Sequence, residues 1–149
     1  DFNGGNMAVT ISLYNHTARK FAAGENIAAD TYKIILCSAA TFTAADTTLA
    51  GITKTELITA NGYTAGGLTM TGVAITTVAT NDAALDADDA VWTASGGAIT
   101  AHYAIIFNDT DTDDPPVAFV DFGASQSAAD GSEFRIQWSA NGIITFAVA

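Results

Sequence analysis

Apolar and polar side chains alternate along several short segments of this chain, with the period of two that a half-buried β-strand requires. The alternation is clearest near the end of the sequence, in Val117 to Phe122, Glu133 to Trp138 and Ile143 to Val148. A fourth segment, Ile99 to Phe107, contains a run that is apolar on both faces, which is typical of a strand in the middle of a core. The pattern therefore predicts a β-rich domain.

Earlier parts of the chain show further strand patterns, separated by turn residues. These segments are Val9 to Tyr14, Tyr32 to Cys37, Thr53 to Thr59, Leu68 to Val78 with a bend at Gly72, and two short strands within residues 83–93. Turn signals recur about every ten residues, a spacing typical of antiparallel sandwiches and barrels. We therefore predict a mostly β fold, with a single antiparallel β-sandwich or barrel-like domain over residues 8–149.

Asn141-Gly142 lies between the last two predicted strands. Both residues tolerate the positive φ of a type I′ turn, and this pair is a strong hairpin signal. We therefore expect the segments on either side of it to pair with each other. The alternation within the strands also predicts the residues of the inner faces: Ile34, Leu36, Ile105, Phe107, Phe119, Phe134, Ile136, Trp138, Ile144 and Phe146.

One short accessory helix is predicted near the start of the chain. Asn15 or Thr17 supplies an N-cap for the segment Ala18 to Ala23, and Gly24 ends it. The space between these signals accommodates only about two helical turns.

Residues 1–7 are expected to form an extended N-terminal arm. Two adjacent glycines and a lone aromatic give this segment no means of forming a core, whereas an aromatic anchor on a flexible tether suits binding to a neighbouring subunit. We therefore predict a partner interface at four residues of the arm: Phe2, Asn3, Asn6 and Met7.

Composition and charge narrow the classes of function. The 149 residues fit one domain, and 49% of them are hydrophobic while only 14% are charged. The formal net charge of −11 repels phosphate backbones and anionic membrane surfaces, so we expect no nucleic-acid partner and no membrane association. A surface rich in Thr and Ser suits packing against other subunits, because little charge has to be desolvated.

The loop Asn108 to Pro116 is the strongest candidate for a metal site. Asp109, Asp111 and Asp113 occupy alternate positions in it and place several oxygen ligands within one turn, as calcium requires. The loop lacks the glycine and the distal glutamate of an EF-hand loop. A plain acidic loop, with no cofactor in the protein, therefore stays as the alternative.

No arrangement of catalytic residues stands out, and we predict that the protein is not an enzyme. His16 and His102 lie in unrelated contexts, and no segment resembles a strand, sharp turn and helix bearing a nucleophile. Cys37 is the only cysteine and lies in an apolar strand, which predicts a buried, inert thiol. Trp92 and Trp138 are predicted to be core or half-core residues rather than a platform for sugars.

Several segments of the chain resemble small structural proteins of tailed bacteriophages. The similarity extends over nearly the whole chain after Met7. The segments that carry it are Leu13-Tyr14-Asn15, Asp30 to Leu36, Asn61 to Gly67, Asp86 to Trp92, Ile99 to Ile105, Val120 to Gly123 and Ile136 to Ile143.

This resemblance implies a virion component without chemistry of its own. Its first implication is a capsid decoration or cement protein, assembled in the host cytoplasm and bound to the outer surface of a phage head. The major capsid protein and neighbouring copies of the same chain are then the partners, within a homo-oligomeric assembly. Two other roles stay open, a tail or fibre component that binds the host and a non-viral extracellular adhesin or filament subunit.

Overall fold

A computed structural model describes residues 9–78 and 81–147. Its one α-helix is α1 (Thr17–Ala22), and a 3₁₀ turn covers Leu49–Gly51. The strands are β1 (Thr10–Leu13), β2 (Tyr32–Ala40), β3 (Lys54–Glu56), β4 (Leu68–Thr69), β5 (Ala74–Thr77), β6 (Ala83–Asp86), β7 (Ala90–Thr93), β8 (Ile99–Asn108), β9 (Pro116–Ala128), β10 (Glu133–Ile136) and β11 (Ile144–Phe146). The prediction of a mostly β domain with one short helix is confirmed.

All strand pairs are antiparallel, and they form three sheets. The largest has six strands, in the order β1-β9-β8-β2-β3 with β4 also paired to β2. The second sheet has the order β11-β6-β5, and the third contains only β10 and β7. The arrangement is that of a β-sandwich-like domain, in which two small sheets cover one face of a large one.

The middle of the large sheet, around β2 and β8, is buried on both faces. On one face, Ile34, Leu36 and Ile106 pack with Trp92 and Phe134 of the two-stranded sheet. On the other face, a second cluster is closed by residues from outside the sheet. Its buried members are Tyr14, Ile35, Cys37, Ile52, Ile105, Phe107 and Phe119. This double burial explains why β2 and β8 are apolar at consecutive positions instead of alternating.

The predicted inner-face residues are buried with two exceptions, but they do not share one face. Trp138 and Phe146 are only partly buried against the first cluster. Ile105, Phe107 and Phe119 lie on the face opposite Ile34 and Leu36. Alternation within a strand shows which side chains share a face, but it does not show whether the other face is covered as well.

The predicted hairpin at Asn141-Gly142 is wrong. β10 pairs with β7 and β11 pairs with β6, so the segments on either side of this turn belong to different sheets. A tight turn does form, closed by a bridge between Ser139 and Gly142, with Gly142 at φ 86°. The rings of Phe134 and Trp92 lie 6.0 Å apart, centroid to centroid, and this long-range packing outweighs the local turn signal.

Three other details differ from the sequence prediction. Leu68 to Val78 is not one bent strand, because the chain turns at Gly72 (φ 63°) and places β4 and β5 in separate sheets. The N-cap of α1 is His16 rather than the predicted Asn15 or Thr17, and it makes no side-chain cap, because its Nε2 donates to Pro116 O. The Thr17 hydroxyl donates to Val117 O. β9 also continues six residues beyond the predicted Phe122, to Ala128. The predicted arm, residues 1–7, lies outside the described residues.

Candidate functional site

The acidic loop between β8 and β9 is held against the rest of the domain by lysines. Lys33 Nζ lies 2.9 Å from Asp109 Oδ2, and Lys20 Nζ lies 2.5 Å from Asp111 Oδ2. Asp113 takes a positive φ of 70° in the turn. Across residues 9–78 and 81–147, no three or more His, Cys, Asp or Glu side chains are grouped as metal ligands. The three predicted calcium ligands are therefore not brought together, and calcium binding stays a prediction.

A buried amide network fixes the start of the same loop. Asn108 is fully buried, and its Nδ2 donates to Asn26 Oδ1 at 3.0 Å and to Asp30 Oδ2 at 2.9 Å. Its Oδ1 accepts from the amide of Thr110 at 2.9 Å. These bonds join the loop to the segment between α1 and β2, so the conformation of the loop is set by the fold itself.

Every basic side chain of the protein has a partner within the chain. Arg19 pairs with Glu25, and Arg135 pairs with Glu133 and Asp89. Lys20 and Lys33 pair with the two aspartates of the acidic loop described above. Lys54 Nζ donates to Leu49 O at 2.5 Å. The five cations are thus dispersed among carboxylates and a carbonyl, and they form no basic surface of the kind that binds phosphate.

A shallow groove of about 370 Å³ opens beside the second cluster, between the end of β2, β3 and β8. Its polar lining comes from Ser38, Thr41, Thr53, Lys54, Thr55, His102 and Tyr103. The ladder between β8 and β9 shifts register between Ala101 and Tyr103, and this irregularity brings the consecutive His102 and Tyr103 rings into a parallel stack. Their centroids lie 4.2 Å apart with an interplanar angle of 5°.

The groove places a histidine beside a carboxylate. His102 Nε2 lies 3.5 Å from Asp121 Oδ1, so a carboxylate can orient the imidazole. Among the described residues, neither imidazole is hydrogen-bonded to a hydroxyl or a thiol. The Cys37 side chain is fully buried, and its desolvation, with Glu56 nearby, raises its pKa to about 12. The thiol is therefore protonated and shielded at neutral pH, as predicted for a buried cysteine.

The edge strand β1 and the residue before it carry a row of exposed apolar side chains on the large sheet. Val9, Ile11 and Leu13 are 52%, 36% and 38% exposed, and we call these three residues the aliphatic stripe. β1 pairs only with β9 among the described strands, with Ile11 opposite Val120 and Leu13 opposite Ala118. Directly opposed residues share a face, so the stripe extends the surface of the first cluster beyond the layer that covers it.

The edge of β9 is protected where β1 ends, whereas no described strand pairs with the outer edge of β1. Past Leu13 the chain turns into α1, and the side chains of His16 and Thr17 donate to Pro116 O and Val117 O, each at 2.8 Å. At the opposite edge of the sheet, β3 carries Lys54 and Glu56. β1 has no charge, no proline and no bulge, the features by which sheet edges usually avoid pairing with other chains.

Sequence reasoning identified β1 as a strand but did not identify it as a surface. The alternation in Val9-Thr10-Ile11-Ser12-Leu13 predicts one apolar face and says nothing about what covers that face. The absence of charge over these five residues was the available signal. The groove had no comparable signal, because it depends on an irregularity between two strands distant in sequence.

The comparisons with known proteins add no relative. The chain matches no protein-family model, no curated protein and no solved structure. No helix in the described ranges has the length and apolar character needed to cross a bilayer.

Proposed function

We propose that this protein is a non-enzymatic structural subunit of a tailed-phage virion, bound in many copies to the outer surface of the head. The observation that carries the proposal is the uncharged edge strand β1 with its aliphatic stripe, which among the described strands pairs only with β9. A sheet edge without charge, proline or bulge favours addition of a strand from another chain. The placement on a phage head follows from the sequence resemblance.

The electrostatics of the surface support a role among other proteins rather than on nucleic acid. All five basic side chains have partners within the chain, so no free cation is available to neutralise phosphates. The excess of acidic groups keeps assembled particles apart in solution, while the uncharged β1 edge permits close contact.

Such a subunit stabilises a capsid by linkage. A ligand that binds only the assembled lattice lowers the free energy of that lattice and raises the temperature at which it ruptures. Each contact can be weak, because a subunit that bridges neighbouring capsomers makes its second attachment intramolecular.

The test compares particles prepared with and without this protein. We expect the particles that lack it to release DNA at a lower temperature and to adsorb normally to host cells. Adding purified protein back should restore the release temperature. Unchanged DNA release combined with lost adsorption would reject the capsid role.

That second outcome would favour a tail or fibre component that binds the host, the alternative supported by the groove. Stacked aromatic rings beside several hydroxyl groups suit a neutral sugar, and the His102–Tyr103 stack lies next to Thr53 and Thr55. In this case, His102→Ala should reduce adsorption and leave DNA release unchanged.

A further inference from the structure

We infer that two copies of this chain pair β1 with β1, antiparallel about Ile11, and join their six-stranded sheets into one continuous sheet. The inference rests on the proposed function, since it names one of the contacts by which the subunit assembles. Its basis is the conformation and composition of residues 9–13, which are independent of what the rest of the surface binds.

The alternation of the stripe selects the register. With Ile11 opposite Ile11 of the second copy, Val9 lies opposite Leu13 and Thr10 lies opposite Ser12. A shift by one residue would place apolar side chains opposite hydroxyl side chains on every pair. A shift by two residues would keep the faces matched but leave part of each stripe without an apolar partner. Within residues 9–13, only the register centred on Ile11 gives all three stripe residues of both copies an apolar partner.

Charge also favours self-pairing at this edge over the opposite edge of the same sheet, where β3 carries Lys54 and Glu56. Each copy carries a net charge of −11, so most surfaces of two copies repel each other. Residues 9–13 contain no charged side chain. The nearest carboxylate in the ladder is Asp121, opposite Thr10, and it lies on the face away from the stripe and accepts a hydrogen bond from the Gly123 amide. Beyond about 8 Å the remaining charges are screened at physiological ionic strength.

The size of the contact predicts a weak dimer. A single short strand pair with three aliphatic side chains from each copy buries less than the roughly 1,200 Å² that marks the low end of stable interfaces. The dimer is therefore populated only at high protein concentration. It becomes stable where copies are held side by side, as on a particle surface.

Disulfide trapping tests the register directly. In the proposed pairing, Ile11→Cys faces its own copy across the two-fold axis, at the distance of directly opposed residues. We expect the oxidised Ile11→Cys protein to form a covalent dimer rapidly. Thr10→Cys is the matched control, because residue 10 is also exposed but lies opposite residue 12 rather than opposite itself. The native Cys37 is fully buried and adds no background linkage.

A mixture of two variants tests the same register independently. Neither Val9→Cys nor Leu13→Cys should link to itself, whereas a mixture of the two should give the mixed dimer. Sedimentation of the unmodified protein should show dimers that increase with concentration, and Ile11→Arg should abolish them. Thermal unfolding of each variant verifies that the exposed substitutions leave the fold intact.

The outcomes distinguish this inference from the proposed function. If Ile11→Cys links no faster than Thr10→Cys, or if Val9→Cys links to itself as fast, the β1 pairing is wrong, whatever the protein does on the particle. If Ile11→Cys links as expected but particles are not stabilised by the protein, the dimer stands and the capsid role fails.

Discussion

Tyr14 and Tyr63 are both 2% exposed, yet their hydroxyl groups differ in hydrogen bonding. Tyr63 Oη donates to Glu56 Oε1 at 2.7 Å and accepts from the Leu36 amide at 3.2 Å. The Tyr14 hydroxyl has no hydrogen-bond partner among the described residues. Burial raises the pKa of both hydroxyls well above the ordinary value, because a phenolate would be desolvated. Both hydroxyl groups are therefore neutral at physiological pH, and they differ only in their hydrogen bonds.

We predict opposite effects of removing these two hydroxyl groups. Tyr63→Phe leaves the Glu56 carboxylate and the Leu36 amide short of a partner, and should lower the free energy of unfolding by about 1–3 kcal/mol. Tyr14→Phe removes a buried group without a partner, and should leave stability unchanged or raise it. Urea unfolding of the two variants and the parent protein measures both effects. An equal loss in the two variants would contradict the assigned hydrogen bonds.

At the scale of elements, short strands pair with strands that the neighbouring turn residues do not predict. β10 packs Phe134 between Trp92 and Phe122, with ring centroids 6.0 and 5.9 Å away. This aromatic contact joins the two-stranded sheet to β9 of the large sheet. The pairing of β10 with β7 therefore depends on packing between residues that are about forty positions apart in the sequence, such as Phe134 and Trp92.

Truncation of Phe134 should be among the most damaging single changes in the domain. Its side chain is fully buried, and Phe134→Ala should lower the free energy of unfolding by about 3–5 kcal/mol through lost burial and the cavity left behind. Ile75→Ala is the control, because Ile75 lies in a strand but is 48% exposed and should cost less than about 1 kcal/mol. Thermal or urea unfolding gives both values. Similar losses would show that β10 is not a core strand.

At the scale of the whole molecule, acidic groups outnumber basic ones by 16 to 5. Every cation already has a partner, so the unpaired carboxylates repel one another across the surface. Isolated surface pairs contribute only about 0–1 kcal/mol each, which is too little to offset a general repulsion. The uncharged β1 edge is one place where this repulsion is locally weak.

We therefore predict that salt stabilises the protein. Raising the ionic strength from a few millimolar to about 0.5 M shortens the screening length to a few ångströms and weakens carboxylate repulsion. The midpoint of thermal unfolding should rise, and the dimer proposed at β1 should become more populated in sedimentation at the same protein concentration. A midpoint that falls with salt would show that the ion pairs contribute more than the repulsion costs.

The strand content, the position of most strands, the short helix and the burial of Cys37 can be predicted from the sequence alone. These properties follow from side-chain periodicity, turn residues and composition, which act over a few neighbouring positions. The net charge and the absence of charge over residues 9–13 are likewise properties of the sequence alone.

Tertiary packing sets how the strands are shared among three sheets, which faces are covered and which contacts the acidic loop makes. Strand partners are chosen by packing between distant residues, as the Phe134–Trp92 contact overrides the Asn141-Gly142 turn. Exposure of the aliphatic stripe likewise depends on where the covering layer ends. Lys20 and Lys33 reach Asp111 and Asp109 only after β2, α1 and β8 are assembled, and no local pattern contains that information.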